Sequence, residues 1–460
     1  MPVLEVIDKF TGETIRTLPV AEAGDVDAAI GRAQRAFPAW AGTPAHRRSA
    51  ILLGAAERIR ARSEEFTTLI AREAGKAWKY AAGEVARSVE TFTFAGEEAK
   101  RIHGETVPMD ASAFGEGRIG FYIRAPLGVV SAITPFNFPL NLVAHKVGPA
   151  LAAGNTLVLK PAEETPLTAI LMAECFHDAG LPDGVMQLVH GPGEVTGDAL
   201  VRHPGPAKVS FTGSPPVGAH ILKVAGLKRV TLELGNNSGT MVEPDASLDQ
   251  AVPRTVMSAF ANSGQVCISL QRLYVHDAIA DAFLERFVAA TRALKIGNPL
   301  DRDCDVGPMI SDEAADRAET WIREALAEGA RALTDVRREG RMLWPVVLTD
   351  TRPDMKVMCR EAFAPLVSVV RYRSFEDGLA MLADSPYGLQ AGIYTNDLKK
   401  AFRAVAALDV GGVMVNDTSI FRVDHMPYGG NRMSGIGREG VRFAIEEMTN
   451  LKLVCLNLGD

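Results

Sequence analysis

Residues 128–160 read GVVSAITPFNFPLNLVAHKVGPALAAGNTLVLK. An apolar run of strand type over 128–134 is stopped by Pro135 and Pro139. The chain then resumes as an apolar stretch of helical length over 141–153, passes Gly154 and Asn155, and enters a second strand-type run over 156–159. Short apolar runs bounded by turn residues are strands buried on both faces, and a helix between two of them is the βαβ unit of a parallel sheet. The alternation continues with a helix over 165–179, strand 185–190, helix 194–201, strand 209–212, helix 217–224 and strand 230–234. Such a segment is expected to fold as a parallel sheet covered by helices on both faces.

Upstream, Val26, Ile30, Ala33, Phe37 and Trp40 recur at three-to-four spacing, and residues 46–70 repeat the pattern, so the first hundred or so residues read as helical. A turn-rich segment over 104–120 ends that region. Downstream of Pro244 a second α/β region follows. It has a helix ending near 261, a strand over 272–275, helices over 279–294 and 313–328, and strands over 346–348, 366–371, 392–394 and 413–416. Residues 452–458 alternate apolar and polar. The expected class is α/β, with two interlocked domains and extra strands.

Composition agrees. Of 460 residues 47% are apolar and 23% charged, and Gly with Pro stays well under the roughly 25–30% of low-complexity chains. The formal charge of −7 argues against a phosphate-backbone binder, so no nucleic-acid partner is expected. Five scattered cysteines without a CxxC pair exclude a disulfide framework and a zinc site, and no metal is expected. Residues 125–145 carry no acid, Lys or Arg, but three prolines and two asparagines interrupt them, so no membrane span is expected. The first residues show no basic and apolar leader pattern, and a cytoplasmic location is expected.

Several motifs carry chemistry. Cys267 lies in NSGQVCIS (262–269), between a helix and a strand. A lone Cys is usually a small buried apolar residue; on a polar, Gly-bearing turn it can instead be an exposed, pointed nucleophile. Glu233 closes the strand VTLELG (230–235), where it is either a surface charge or a partly desolvated general base. Gly213 and Ser214, in FTGS, precede a helix whose N-terminus can hold a pyrophosphate or be a plain strand-to-helix turn. Asn137, in PFNFP, is an Asx-turn residue or an oxyanion donor. Lys160 and Glu163, in LKPAEE, are surface charges or groups at the ligand-binding edge of the sheet.

The order of these motifs decides among the alternatives. The chain resembles the NAD(P)-dependent aldehyde dehydrogenase superfamily from KFTGE (9–13) to PYGG (427–430) and SGIGRE (434–439). Cys267 stands 34 residues beyond Glu233 and Lys160 stands 23 beyond Asn137, while EAFAP (361–365) resembles the family's Glu-x-Phe-Gly-Pro. The resemblance implies a Rossmann-like cofactor domain (1–103 and 125–235), a catalytic α/β domain (236–433), and a β oligomerisation arm with the C-terminal segment (104–124 and 434–460). It implies Cys267 as nucleophile, Asn137 with the Cys267 backbone N–H as oxyanion hole, and Glu233 as the base of thioester hydrolysis. It assigns Lys160 and Glu163 to the adenosine ribose, Ser214 to the pyrophosphate and Glu361 with Phe363 to the nicotinamide ribose. Thr134, Phe136, Gly213 and Gly235 are further implied cofactor contacts. NAD is expected over NADP because Glu163 would face a 2′-phosphate with like charge, and a homodimer or homotetramer is expected.

Three departures stand out. Asn236 and Asn237 occupy positions where relatives usually have Gly and Lys, Ala364 replaces a Gly, and Asn450 stands where many relatives have a Glu associated with proton relay. Arg87, His145 and Arg422 are the candidate substrate residues. By resemblance to the lactaldehyde-dehydrogenase-like branch, with Val266 just before the nucleophile, they suggest a sulfonated or hydroxylated three-carbon aldehyde such as sulfolactaldehyde or lactaldehyde. Weighed beside this are a coenzyme-A-acylating or simple aliphatic enzyme, a cofactor-free thiol hydrolase, which would need a His partner for Cys267, and a catalytically silent homologue.

Overall fold

Val129–Ile133, Thr156–Lys160 and Lys208–Thr212 are buried at every position, as strands covered on both faces must be. In the computed structural model, which describes residues 3–459, they belong to a six-stranded sheet. Its order is Gly435–Ile436, Arg229–Glu233, Lys208–Thr212, Val129–Ile133, Thr156–Lys160 and Met186–Leu188. Five strands are parallel, and Gly435–Ile436 joins antiparallel from the far end of the chain. Chain order reverses between Val129–Ile133 and Lys208–Thr212. Ligands bind beyond the carboxyl ends of strands at such a point, and there the chain carries Thr134–Phe136 and Gly213–Ser214.

A second sheet runs Arg331–Ala332, Val346–Thr349, Leu366–Tyr372, Arg272–His276, Gly239–Val242, Gln390–Tyr394 and Gly412–Val415. It is parallel except at Arg331–Ala332. Thr449–Asn457, Arg118–Pro126 and Thr106–Val107 form a separate antiparallel ribbon. Of the 434–460 segment, only Thr449–Asn457 pairs in this ribbon. Gly435–Ile436 completes the first sheet, and Val441–Glu447 contributes Val441 and Ile445 to the same apolar core as Val143 and Leu151.

Helix Asn141–Ala153 is buried all round. Its first amides are satisfied by Glu84, whose Oε1 accepts from the N–H groups of Leu140 (2.9 Å) and Asn141 (3.1 Å). Gly148 permits close approach to helix Trp78–Glu98, since a Cβ there would sit 3.0 Å from the Ala95 methyl. The two helices that carry Arg87 and His145 are thereby held together.

Two expectations need correction. Residues 3–19 are not helical: Val3–Ile7 and Thr14–Pro19 pair as an antiparallel hairpin, with Gly12 at φ +77° in its turn. The helical pattern begins only at Ala23. Residues 194–201 are not one regular helix either, because a wide π-type turn, Gly193–Gly197, leads into the short helix Asp198–Arg202. Glycines at both ends of that turn weaken the regular helical register.

Candidate active site

After helix Leu248–Phe260 the backbone turns left-handed at three residues in succession: Asn262 (φ +51°), Ser263 (+56°) and Gly264 (+69°). Left-handed non-glycine residues cost about 1–3 kcal/mol each and persist only where their surroundings hold them. Asn262 Nδ2 donates to the carbonyls of Gln265 (3.2 Å) and Asn137 (3.3 Å), and Ser263 Oγ donates to Gly307 O at 2.8 Å. A Cβ at Gly264 would collide with the Ala364 carbonyl. The turn delivers Cys267 to the boundary of two cavities, and it lines both. Asn137 Nδ2 donates to Gln265 O at 3.0 Å, which fixes its amide beside the same turn.

The Cys267 sulfur lies 2.9 Å from the Tyr428 hydroxyl. Burial pushes the thiol up to about 11, opposed by Tyr428 and by the charge of Arg422. Glu233 is buried, and neither of its oxygens has a hydrogen-bond partner among the described residues. Burial raises it well above the usual carboxylate range, and the neighbouring charge of Glu439 raises it further. Burial acts on Glu439 as well, but Lys146 (2.8 Å), His145 and Arg422 (3.3 Å) hold it below its ordinary value. Two carboxyls are thus driven apart, one toward the neutral form and one firmly charged, the pattern that separates acid–base roles. Gly429 leaves the room: a Cβ there would lie 2.8 Å from Glu233 Oε1.

On one side of Cys267 a groove of about 890 Å³ is lined by Phe136, Asn137, Glu163, Gly213, Ser214, Gly235, Glu361 and Phe363. Lys160 is buried and holds Glu163 at 3.1 Å. Thr134 is buried at its strand end, and its Oγ1, like that of Thr212 in the groove wall, has no hydrogen-bond partner among the described residues. Glu361 accepts from Asn236 N–H at 2.8 Å, and burial pushes it up to about 7. A Cβ at Gly235 would strike its carboxylate. Phe363 sits at φ +50° with its ring edge-on to Phe136 at 5.9 Å. Ser214 begins the helix Pro215–Val224. The first two residues of that helix, Pro215 and Pro216, carry no N–H, so the features that fit a dinucleotide are the threonine hydroxyls and the glycine cradle.

On the other side a cavity of about 300 Å³ is lined by Lys76, Lys79, Arg87, Arg254 and Arg422, with Glu84 as the one acid. Arg87 grips Asp424 through two bonds of 3.0 and 2.7 Å, and Arg422 stacks on Tyr428 with 3.5 Å between its guanidinium carbon and the ring centre. His145 is a correction: it does not line this cavity. Every face of its helix is buried, and its Nε2 bonds Asp424 Oδ1 at 2.9 Å. Burial, with Arg422 nearby, lowers its pKa, so it supports Arg87 through the shared Asp424. The histidine that a thiol hydrolase would need is not the partner of Cys267.

Two of the three departures have a structural explanation. Asn237 Nδ2 donates to Met358 O (2.8 Å) and its Oδ1 accepts from Ser385 (2.6 Å), so the paired asparagines tie the end of the first sheet to segment 358–361 and to Ser385. Asn450 bonds Arg229 at 2.9 Å on the exposed arm strand, whereas Glu233 has Lys146 and Glu439 as neighbours. Nothing in the structure explains Ala364. Tyr428, Lys146 and Glu439 were missed by the sequence reading of the site. The available signal was a Lys inside the apolar helix LVAHKVG (142–148), since a buried Lys needs a partner.

Among the described residues, no helix is long and apolar enough to cross a membrane, and no group of three His, Cys, Asp or Glu is placed to hold a metal ion. The pattern of the aldehyde dehydrogenase family matches residues 2–454. A 3-sulfolactaldehyde dehydrogenase from Priestia aryabhattai is 45% identical over 99% of this chain and 95% of its own. The crystal structure of aldehyde dehydrogenase 21 from Physcomitrella patens, in complex with its reaction product succinate, superimposes with a TM-score of 0.97 at 41% identity. It covers 100% of this chain and 96% of that one. Glyceraldehyde-3-phosphate dehydrogenase GapN from Methanocaldococcus jannaschii, complexed with NADP, gives 0.95 at 39% identity, over 99% of each chain.

Proposed function

The chain belongs to the aldehyde dehydrogenase family, and on that premise we propose that it oxidises a small anionic aldehyde to its carboxylate, with NAD as the preferred cofactor. One observation carries the substrate class: five cations and a single acid line the cavity that holds Cys267, each cation being ion-paired with a carboxylate that, Glu84 apart, lies outside the lining. A bidentate guanidinium–anion contact is strong where water is excluded, and Arg87, 31% exposed, can meet an incoming anion. The relatives named for sulfolactaldehyde and glyceraldehyde 3-phosphate, and the bound succinate, support an anionic group beyond the aldehyde. A sulfonated or hydroxylated three-carbon aldehyde is the reading we favour. Sulfolactaldehyde should exceed propanal in kcat/KM by at least about tenfold, about 1.4 kcal/mol, in a panel read by nicotinamide absorbance. Arg87→Ala should raise KM for the anionic aldehyde by roughly tenfold and leave propanal little changed. A preference for propanal overturns the assignment.

In the chemistry we propose, the Cys267 sulfur adds to the aldehyde carbon and forms a thiohemiacetal. Its oxyanion is held by Asn137 Nδ2, which keeps one N–H beyond its bond to Gln265, and by the Cys267 backbone N–H. The nicotinamide, when bound, supplies the hydride acceptor that oxidation requires. Glu233 then takes a proton from the water that hydrolyses the thioester; burial raises its pKa, the charge of Glu439 adds to that, and Arg422 and Lys146 oppose it. The presence of that base supports a hydrolytic enzyme over one that passes the acyl group to coenzyme A.

Glu163 supports NAD. A 2′-phosphate bound beside that carboxylate would meet like charge, and Lys160 is already engaged with Glu163. NAD should give at least about tenfold higher kcat/KM than NADP, and Glu163→Gln should narrow that ratio. Equal efficiencies with wild-type enzyme would show that the carboxylate points elsewhere. Homo-oligomerisation through the arm is supported by Ile119, Ile123, Leu451, Leu453 and Leu456, exposed on its paired strands.

A further inference from the structure

We propose that Tyr428 is a further catalytic residue: its hydroxyl donates to the Cys267 sulfur and, backed by the Arg422 guanidinium on its ring face, stabilises the thiolate that attacks the aldehyde. The inference rests on the reading of Cys267 as nucleophile and adds to it the group that makes a half-buried thiol usable.

Cys267 enters this site at a disadvantage. It is half-buried, desolvation of the sulfur raises its pKa, and the carboxyls of Glu361 and Glu233 oppose the loss of its proton. Asn137 is committed to the turn and to the oxygen side of the reaction, so it does not serve the sulfur. Tyr428 does, at 2.9 Å. The ring is fixed rather than adventitiously close. Tyr428 N–H donates to Glu439 O at 3.0 Å, Glu439 N–H donates back to Tyr428 O at 2.6 Å, and the residue is 3% exposed. One ring face carries Arg422, itself ion-paired to Glu439, which Lys146 holds in turn.

The direction of the bond follows from the charges. Burial keeps the phenol protonated, raised further by the charges of Cys267 and Glu233 and opposed by Arg422. A thiolate has no proton to give, so once Cys267 loses its proton to the water of the cavity, the O–H of Tyr428 is the donor. A hydrogen bond to an ionised acceptor is about twice as strong as one between neutral groups, so the contact favours the thiolate over the thiol. The cation on the ring face polarises the phenol in the same sense. When the sulfur bonds to the aldehyde carbon its charge passes to the new oxyanion, and the contact with Tyr428 weakens as the contacts of Asn137 strengthen.

The test is the pH profile of alkylation of the cofactor-free enzyme by iodoacetamide, followed by mass at Cys267. In Tyr428→Phe, which removes one oxygen, the midpoint should move up by about one pH unit, with a rate about tenfold lower at any pH below it. NAD affinity, measured by fluorescence titration, should be unchanged. A midpoint that stays in place or moves down overturns the proposal. If alkylation of Cys267 leaves wild-type turnover intact, the nucleophile reading itself fails. If alkylation abolishes turnover but the two profiles coincide, only the role of Tyr428 falls.

Discussion

Cys267→Ala is expected to lower steady-state NADH formation by at least about 10⁴-fold, the scale on which loss of a covalent nucleophile is felt. The effect is this large because the rest of the site has no substitute. Cys175 and Cys304 are buried elsewhere, Cys359 bonds the Asp354 carbonyl, and Cys455 is on the arm strand. The substitution also deprives the Tyr428 hydroxyl of its partner, and a buried orphaned hydroxyl costs about 1–3 kcal/mol of stability. Cys267→Ser, which keeps an acceptor at that place, separates the two effects: it should recover stability and not turnover. Cofactor affinity should persist in both variants, since Phe136, Glu163 and Ser214 are untouched. Normal turnover in Cys267→Ala would end the account.

Glu233→Gln is expected to retain a stoichiometric first burst of NADH and to lose roughly 10²–10⁴-fold in steady turnover. The split arises because Glu233 acts only on the water of the second half-reaction. Its carboxyl has no hydrogen-bond partner among the described residues and is raised by burial and then by Glu439. The base form of a carboxyl with a raised pKa appears only above that raised value, so wild-type deacylation should climb with pH over a range more alkaline than that of an ordinary Glu. Glutamine removes that climb. Loss of the burst together with turnover would assign Glu233 to the attack step instead.

The parallel sheet was legible because its strands are short apolar runs with Gly- and Pro-bounded ends, and buried strands must look like that. The opening hairpin was not, although VLEVI and TIRTLP flank a Thr-Gly turn, because strong helical periodicity from Val26 onward coloured the whole region. Cys267, Glu233 and Asn137 were legible as ends of elements, where chemistry collects. The network behind them was not. Tyr428 reaches Cys267 across 161 positions and Lys146 reaches Glu439 across 293, and no local spacing encodes such meetings. His145 shows the opposite error. Two turns of helix from Asn137 would have aimed it at the cavity, but the helix begins only at Asn141 and is enclosed on every side.

The most direct test of the covalent route is intact-mass and peptide analysis of Glu233→Gln, quenched shortly after mixing with NAD and sulfolactaldehyde. The account predicts one acyl group per chain, carried as a thioester on the peptide containing Cys267 and removable by hydroxylamine. NADH formed with no adduct, or an adduct on any other residue, would contradict it.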